Sequence, residues 1–473
     1  MIQGPCLKDC TVRIGDTGEV AENGNAKWSS LPGGERGERG EGLRRPRGRE
    51  ASGASRAYVR AGRCRVKIVD ITEFYSERGG GVRSHLTTRG HVLCQLGHDH
   101  AVIAPGPRDE LGPPDASNAP AARHAPRARV LRVAGPALPY DRTYHLLGRF
   151  DKIRSMVRAE RPDVFEAHSP YLATAAVLGC GLRAARARTA FWHADHLGAY
   201  VEPALAHLLG ERAADIVAKQ LWLGVRALLA PFDATFVAGV AQARKLRSAG
   251  VKDVVLVPFG VDVRMFHPGA RSEARRRELT RGMPGRLLVG VGRFAVEKRW
   301  DVVLDAFARV RSGHQATLVL FGDGPERERL ERRAPPGVYF APFEKDRAKL
   351  ASAVASADVL VHSCPYETFG LAVAEAVACG VPIVVPDKGG APESADPSCS
   401  ETYRSLDADA CAAAIVRLLA RSGPDLEARA RAAAARTPTI DQHFARVVSV
   451  YEDLLRERSP DRALRPASAT HPS

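Results

Sequence analysis

From Val66 onward, short runs of branched apolar residues alternate with longer stretches of helical character, and the chain does this twice in series. No other feature constrains the fold as strongly. In the first half the periodicity predicts strands at 66–71, 100–104, 130–133, 164–167, 189–193 and 234–237. Helices are predicted at 82–96 and 144–160, with a long, mostly helical stretch at 201–229. In the second half strands are predicted at 287–291, 316–321, 338–341, 359–362 and 383–386. Helices fall between them at 299–310, 325–333, 346–355 and 369–378. A strand followed by a helix and another strand is the unit of a parallel sheet covered on both faces. Two such series make an α/β protein of two doubly wound domains, each with a ligand crevice at the carboxyl ends of its strands.

The length suits this division. A chain of 473 residues exceeds one ordinary core and accommodates two α/β domains of roughly 180 residues each, plus ends. We expect one domain over residues 66–255, a linker rich in Pro, Gly and Arg over 256–284, and a second domain over 285–430. Apolar residues between 431 and 458 (Phe444, Val447, Val448, Val450, Tyr451 and Leu454) have roughly helical period. Residues 105–128, rich in Pro and Ala, read as a loop. Residues 1–65 and 459–473 read as disordered, because neither buries enough apolar surface to offset its ordering entropy. The abrupt onset of structure at Val66, a residue also read from a GUG codon, suggests that translation begins there. N-terminal sequencing of the native protein checks this.

The net charge of +15 favours anionic partners such as nucleoside diphosphates, acidic lipid surfaces or nucleic acid. The first 65 residues alone carry 13 Lys/Arg against 8 Asp/Glu, so part of the bias belongs to the extension. The nine cysteines form no C-x-x-C pair, which fits thiols in a reducing compartment better than a disulfide or zinc framework. No stretch approaches the ~20 apolar residues of a membrane span, and no secretory signal is recognised. The expectation is a cytoplasmic enzyme, with peripheral contact to the inner face of the cell membrane as an extension of it.

The most informative segment runs from Tyr366 to Gly380. It follows a strand and reads as a helix with Thr368 as N-cap and Gly380 as its stop. Such a helix end offers the amides of Phe369, Gly370 and Leu371, which with the positive end of the helix dipole suit an anion or sugar hydroxyls. Glu367 and Glu375, eight positions apart, supply carboxylates that accept from hydroxyls. A capping box fails, because Leu371 occupies the third position after Thr368. On the residues alone, a structural helix start is as good a reading as a binding site.

This segment resembles the E-x7-E signature of retaining glycosyltransferases of family 4, which have the GT-B fold of two Rossmann-like domains facing a cleft. Other pieces agree in order. Val291-Gly292-Arg293-Phe294 with Glu297-Lys298 resembles the family's phosphate clamp. Phe321-Gly322-Asp323-Gly324-Pro325 resembles its glycine turn, and Phe259-Gly260-Val261-Asp262 with Phe266-His267-Pro268 its linker. Gly79-Gly80-Gly81 sit at the N-terminal glycine loop, and Trp192-His193-Ala194-Asp195 resembles the strand that ends in a histidine. The likeness extends from about Val66 to Arg456 and is closest to bacterial mannosyltransferases and sulfolipid sugar transferases. It implies a metal-independent hexosyltransferase with no cofactor beyond a nucleotide-sugar substrate, and a glycan, lipid or polyol acceptor. Arg293 and Lys298 would neutralise the donor diphosphate, stabilising charge on the leaving group. Glu375 would hold the ribose, and Glu367 with the amides of Phe369, Gly370 and Leu371 the transferred sugar. His193 would face that sugar near its anomeric carbon, and Gly80 and Gly81 would let backbone approach the phosphates. The first domain would bind acceptor, the second donor, and the last helix would cross back to the first domain. GDP-mannose is the leading donor, a UDP-hexose the runner-up.

The chain departs from the family at Phe340-Ala341-Pro342, where a proline removes a backbone donor near the base pocket. It departs again at His362-Ser363-Cys364-Pro365, ahead of Glu367. G-x-G-x-x-S at Gly79, Gly81 and Ser84 lacks the third glycine of a dinucleotide fingerprint. The D-x-D at Asp407 and Asp409 reads as a solvated face. His193, Asp195 and His196 alternate faces on a strand, so no metal is expected there. Competing readings are a basic nucleic-acid-binding protein, which lacks recognition motifs, a catalytically idle sugar-binding relative, and a GT-B phosphorylase.

Overall fold

A computed structural model describes residues 65–75, 81–110, 128–139, 142–181 and 183–458. The expected disordered ends apart from Arg65, residues 111–127 of the expected 105–128 loop and the glycines at 79 and 80 lie outside these residues; β2 runs on to Gly106 and β3 begins at Ala128.

The first half contains β1 (Lys67–Ile71), α1 (Gly81–Gln95), β2 (Asp99–Gly106), β3 (Ala128–Ala134), α2 (Phe150–Glu160), β4 (Val164–Ala167), α3 (Leu172–Gly179) and β5 (Ala187–Trp192). A π turn, Leu197–Val201, leads into α4 (Glu202–Leu209), α5 (Glu211–Leu229), β6 (Ala234–Val237), α6 (Val240–Ser248) and β7 (Val254–Leu256). These strands form one seven-stranded sheet in the order β3-β2-β1-β4-β5-β6-β7, with every pairing parallel. The second half contains α7 (Glu273–Thr280), β8 (Arg286–Val291), α8 (Trp300–Arg311), β9 (Ala316–Phe321), α9 (Arg327–Arg333), β10 (Val338–Ala341), α10 (Arg347–Ala355) and β11 (Val359–Val361). It continues through α11 (Leu371–Ala378), β12 (Ile383–Pro386), α12 (Ala391–Ser394), β13 (Ser400–Tyr403), α13 (Ala408–Ala420), α14 (Pro424–Ala435) and α15 (Ile440–Glu457). Its six-stranded sheet runs β10-β9-β8-β11-β12-β13, again all parallel.

In each sheet the strand order reverses beside the first strand, between β1 and β4 and between β8 and β11. A doubly wound sheet opens its ligand crevice at such a switch point. Central strands such as β9 (ATLVLF) and β5 (ARTAFW) are buried along their whole length, as a sheet covered on both faces requires. The last helix, α15, starts with a capping box at Thr439 and Gln442. It buries Val447, Val448, Val450, Tyr451 and Leu455 against Val66, Ile68, Leu93, Phe191 and Phe236 of the first sheet's layer. It therefore crosses back, as the family resemblance implies. The linker is pinned beneath it: Val261 N–H donates to Pro438 O at 2.8 Å and Ile440 N–H to Val261 O at 3.1 Å.

Several expectations need correction. The helix expected at 144–160 starts at Phe150, because Tyr144 and Leu146 pair instead with the chain after β3, with Leu138 N–H on Tyr144 O and Leu146 N–H on Pro136 O. The stretch 201–229 is broken at Gly210, whose φ of 76° no helix interior accepts. α3, α6, α7, α12, α13, α14, β7 and β13 were given no range from the sequence. The D-x-D lies at a solvated helix start, as expected: Asp407 caps α13, accepting from Ala410 N–H at 2.9 Å, and the exposed Asp409 pairs with Arg309.

Candidate active site

The expected site residues of the second half gather at the carboxyl ends of β8 and β11. The turn after β8 carries Arg293, then a 3-10 turn, Val296–Lys298. It is tied down from behind, with Trp300 Nε1–H on Arg293 O at 2.9 Å and Ser363 Oγ–H on Lys298 O at 2.6 Å. Gly324 lies against it, and a Cβ there would meet Phe294 O at 2.3 Å. Arg293 is exposed and makes no ion pair among the described residues. Lys298 forms an ion pair with Glu367, both largely buried. Burial opposes the charge of Lys298, but the Glu367 carboxylate outweighs it and raises the ammonium above its usual range. Burial likewise opposes the Glu367 charge, and Lys298 with His362, 3.4 Å away, holds the carboxyl well below its ordinary value. The cation assigned to phosphate and the carboxylate assigned to sugar thus neutralise one another here.

The helix start differs from the expected form. Gly370 is the N-cap of α11, at φ 89° and ψ 58°, so the helix begins at Leu371. Thr368 does not cap it, because its hydroxyl donates to His193 O at 2.7 Å, joining the two halves of the chain. The amides of Phe369, Gly370 and Leu371 nevertheless donate to nothing among the described residues. Gly380, at φ 68°, ends the helix as expected: its N–H and that of Val381 return to Val377 O and Ala376 O. Glu375 lies buried in the body of α11 and pairs with Arg347 from α10. Burial raises its pKa, with Arg347 offsetting part of the rise.

Across from this edge stand the carboxyl ends of β4 and β5. His193 lies just beyond β5, stacked on Phe191 (4.4 Å) and Phe259 (5.8 Å). Its Nε2 is 2.7 Å from Nδ1 of His168, the residue just beyond β4. Burial depresses the His193 pKa well below its usual value, so the ring is neutral at neutral pH. His85 from α1 and His443 from α15 close the aromatic cluster around Phe259. Gly81 opens α1, and among the described residues nothing lies within 4 Å of where a Cβ would stand. Tyr200, in the π turn, faces Glu297, and burial pushes its phenol up to about 12. Glu393 accepts from Val240 N–H and, at 2.6 Å, from Ala241 N–H, capping α6 from the other half of the chain.

Sequence reasoning missed His85, His168, His443, Arg347 and Glu393. A signal existed for His168, since two neighbouring strands, 164–167 and 189–192, are each followed by histidine at the carboxyl end. The structure also brings together a set that the sequence did not flag as ligands: His85, His168 and His193 each place a nitrogen within 4.8 Å of the others. Tetrahedral zinc would hold two imidazole nitrogens about 3.3 Å apart. The 2.7 Å between His168 and His193 is instead a hydrogen bond.

Two doubly wound domains meeting at the carboxyl ends of their strands, with phosphate-suited cations on one side and a neutral imidazole on the other, define the GT-B class of glycosyltransferase. Residues 79–264 match the family described as Glycosyltransferase Family 4 and residues 285–421 that described as Glycosyl transferases group 1. The chain is 33% identical over 325 residues to a GDP-mannose-dependent alpha-(1-6)-phosphatidylinositol dimannoside mannosyltransferase of Mycobacterium tuberculosis, covering 68% of this chain and 79% of that one. It is 31% identical over 404 residues to a GDP-mannose-dependent alpha-mannosyltransferase of Mycolicibacterium smegmatis, covering 83% of this chain and 99% of the relative. A sucrose-phosphate synthase from Thermosynechococcus elongatus shares the fold, with a TM-score of 0.64 at 21% identity over 83% of this chain and all of that one. The chain belongs to glycosyltransferase family 4. It is an enzyme, a hexosyltransferase.

Proposed function

We propose that the chain transfers mannose from GDP-mannose, with retention of anomeric configuration, to a lipid-borne acceptor. The donor follows from the similarity to two GDP-mannose-dependent mannosyltransferases. One observation carries the site: Arg293, Lys298 and the open amides of 369–371 line one edge of the cleft, and Thr368 ties that edge to His193 on the other. A diphosphate entering there draws Lys298 from Glu367, and the freed carboxylate accepts from sugar hydroxyls as the leaving group is neutralised. Departure of the diphosphate and attack from the same face, through an oxocarbenium-like state, need no carboxylate nucleophile. Glu375 meets the ribose once Arg347 yields.

The lipid acceptor draws support from α4 and α5. Trp222, Val225 and Leu229 pack toward the first domain's core, and Trp222 donates to Glu202 at 2.8 Å. Leu208, Leu209, Ile216 and Leu223 point outward, with Leu208 75% exposed, beside Arg212 and Lys219. Such a face lies on an anionic bilayer. No helix among the described residues is long and apolar enough to cross a membrane.

The test is incubation of the chain with GDP-mannose, UDP-glucose and other nucleotide-sugars, measuring free nucleoside diphosphate, alongside Lys298→Ala and Glu375→Ala. Release from GDP-mannose, lost in both variants, supports the reading. Release from a UDP-hexose alone replaces the donor, and no release from any donor favours an idle relative. Flotation with anionic liposomes tests the face, and absence of binding removes it.

A further inference from the structure

The sequence points to His193, and the structure shows what stands behind it. Asp70 from β1, Arg89 from α1 and Glu166 from β4, together with His168, are fully buried. Burying two carboxylates is costly unless each is paired. Arg89 supplies the pairing, with Nη1 on Glu166 Oε1 at 2.9 Å and Nε at 2.9 Å from Asp70 Oδ2. His100 Nε2 lies 2.6 Å from the same Asp70 oxygen. Thr189 Oγ–H and Tyr451 O–H both donate to Glu166 Oε2 at 2.6 Å. Glu166 Oε1 and Asp70 Oδ1, which also accept from Arg89 Nη1 at 2.9 Å and Nη2 at 3.1 Å, face His168 Nε2 at 3.2 and 3.3 Å. His168 Nε2 makes a hydrogen bond of ordinary geometry to neither, and stands close to both carboxylates.

This arrangement decides where protons sit. Two carboxylate oxygens favour a hydrogen on Nε2 of His168. Its Nδ1 is then a lone pair, and the 2.7 Å contact makes it the acceptor of a hydrogen on Nε2 of His193. The remaining nitrogen of His193, Nδ1, has no hydrogen-bond partner among the described residues. We propose that His168 is a positioning residue: held by Asp70 and Glu166, it fixes the ring and tautomer of His193 so that Nδ1 is presented to the cleft as an acceptor for a substrate hydroxyl. Tyr451 brings the C-terminal helix into the same network, so the crossover supports the site as well as the sheet. The proposal rests on the reading that His193 faces the transferred sugar.

Two measurements test it. In full-length protein labelled with ¹⁵N-histidine, the His193 resonances are expected to show hydrogen on Nε2 and none on Nδ1, a preference lost in His168→Leu. Hydrogen on Nδ1, or a His193 pattern unmoved by His168→Leu, overturns the proposal whether or not any donor turns over. In the donor-hydrolysis assay His168→Leu is expected to lower kcat about 10- to 100-fold while leaving KM for the nucleotide-sugar within about twofold. His168→Gln, whose carbonyl accepts from His193 and whose amide reaches the carboxylates, restores most of kcat. Added to His193→Ala, His168→Leu causes little further loss, because both remove one unit. Loss of kcat that multiplies across the two variants, or a His168→Leu enzyme as fast as wild type, contradicts the proposal. The thermal midpoint of His168→Gln distinguishes an effect on His193 from unfolding. If wild type turns over no donor, the transferase reading fails and the tautomer measurement still decides this one.

Discussion

Replacing Lys298 by methionine keeps most of the side chain's length and removes its charge, leaving Glu367 as a largely buried carboxylate without its principal partner. Breaking a fully buried pair costs about 3–5 kcal/mol. Here the two side chains are 21% and 19% exposed, and His362 remains 3.4 Å from Glu367, so solvent and imidazole recover part of the loss. We expect about 2 kcal/mol near pH 7, or roughly 4–8 °C in thermal midpoint for a domain of this size. The loss depends on pH in a defined direction. In the native wild type the Glu367 carboxyl is held well below its ordinary value, so its contribution is present above the unfolded value of about 4.5 and declines only at more acid pH. In Lys298→Met burial instead favours the protonated acid, which relieves the unpaired charge as pH falls. The gap between the two proteins, measured by calorimetry at pH 7 and pH 4, should therefore narrow at pH 4. A variant as stable as wild type at pH 7, or a gap that widens in acid, refutes this account of the pair.

Other consequences follow from the same geometry. His443, which burial lowers to about 4, and the half-buried His85 and His193 stay neutral in the native chain while the unfolded chain protonates below about 6.5. Stability is thus complete above about pH 6.5 and falls toward pH 4 by about 1.4 kcal/mol per unit for His443 alone, and urea titrations of His443→Gln should show a shallower decline. Gly370→Ala forces a side chain to φ 89° with its Cβ 3.1 Å from Ala391 Cα, costing about 1–2 kcal/mol and displacing the open amides, so both thermal midpoint and donor turnover should drop. Glu393→Ala removes the cap on α6 that comes from the other half of the chain. Its thermal midpoint should move by only a few degrees, while the radius of gyration from X-ray scattering should rise as the cleft opens.

The strands were legible because a covered parallel sheet is built mostly of apolar residues; 164–167, 234–237, 316–321 and 383–386, and the half-buried edge strand 338–341, were placed to the residue. α3 (LATAAVLG) was not, since it is apolar all round and has no face for a period to reveal. β7 is only three residues long, and β13 (SETY) carries no apolar run to signal a strand. At the site, Arg293, Lys298, Glu367 and Glu375 were visible because they lie in local motifs. Their partners were not: Lys298 finds Glu367 69 positions away, and Tyr451 reaches Glu166 across 285. Thr368 misled because a hydroxyl before a helix signals a cap, and only the fold reveals that it is committed to His193. His168 was overlooked for a similar reason, since its carboxylates belong to β1 and to its own strand's buried face.

The most direct test of the account follows GDP-mannose and the full-length chain by proton NMR from the first minutes of slow hydrolysis. The account predicts that GDP appears together with α-mannose, ahead of mutarotation, and that Lys298→Met abolishes both signals. β-Mannose appearing first contradicts retention, and GDP release undiminished in Lys298→Met contradicts the assignment of the site.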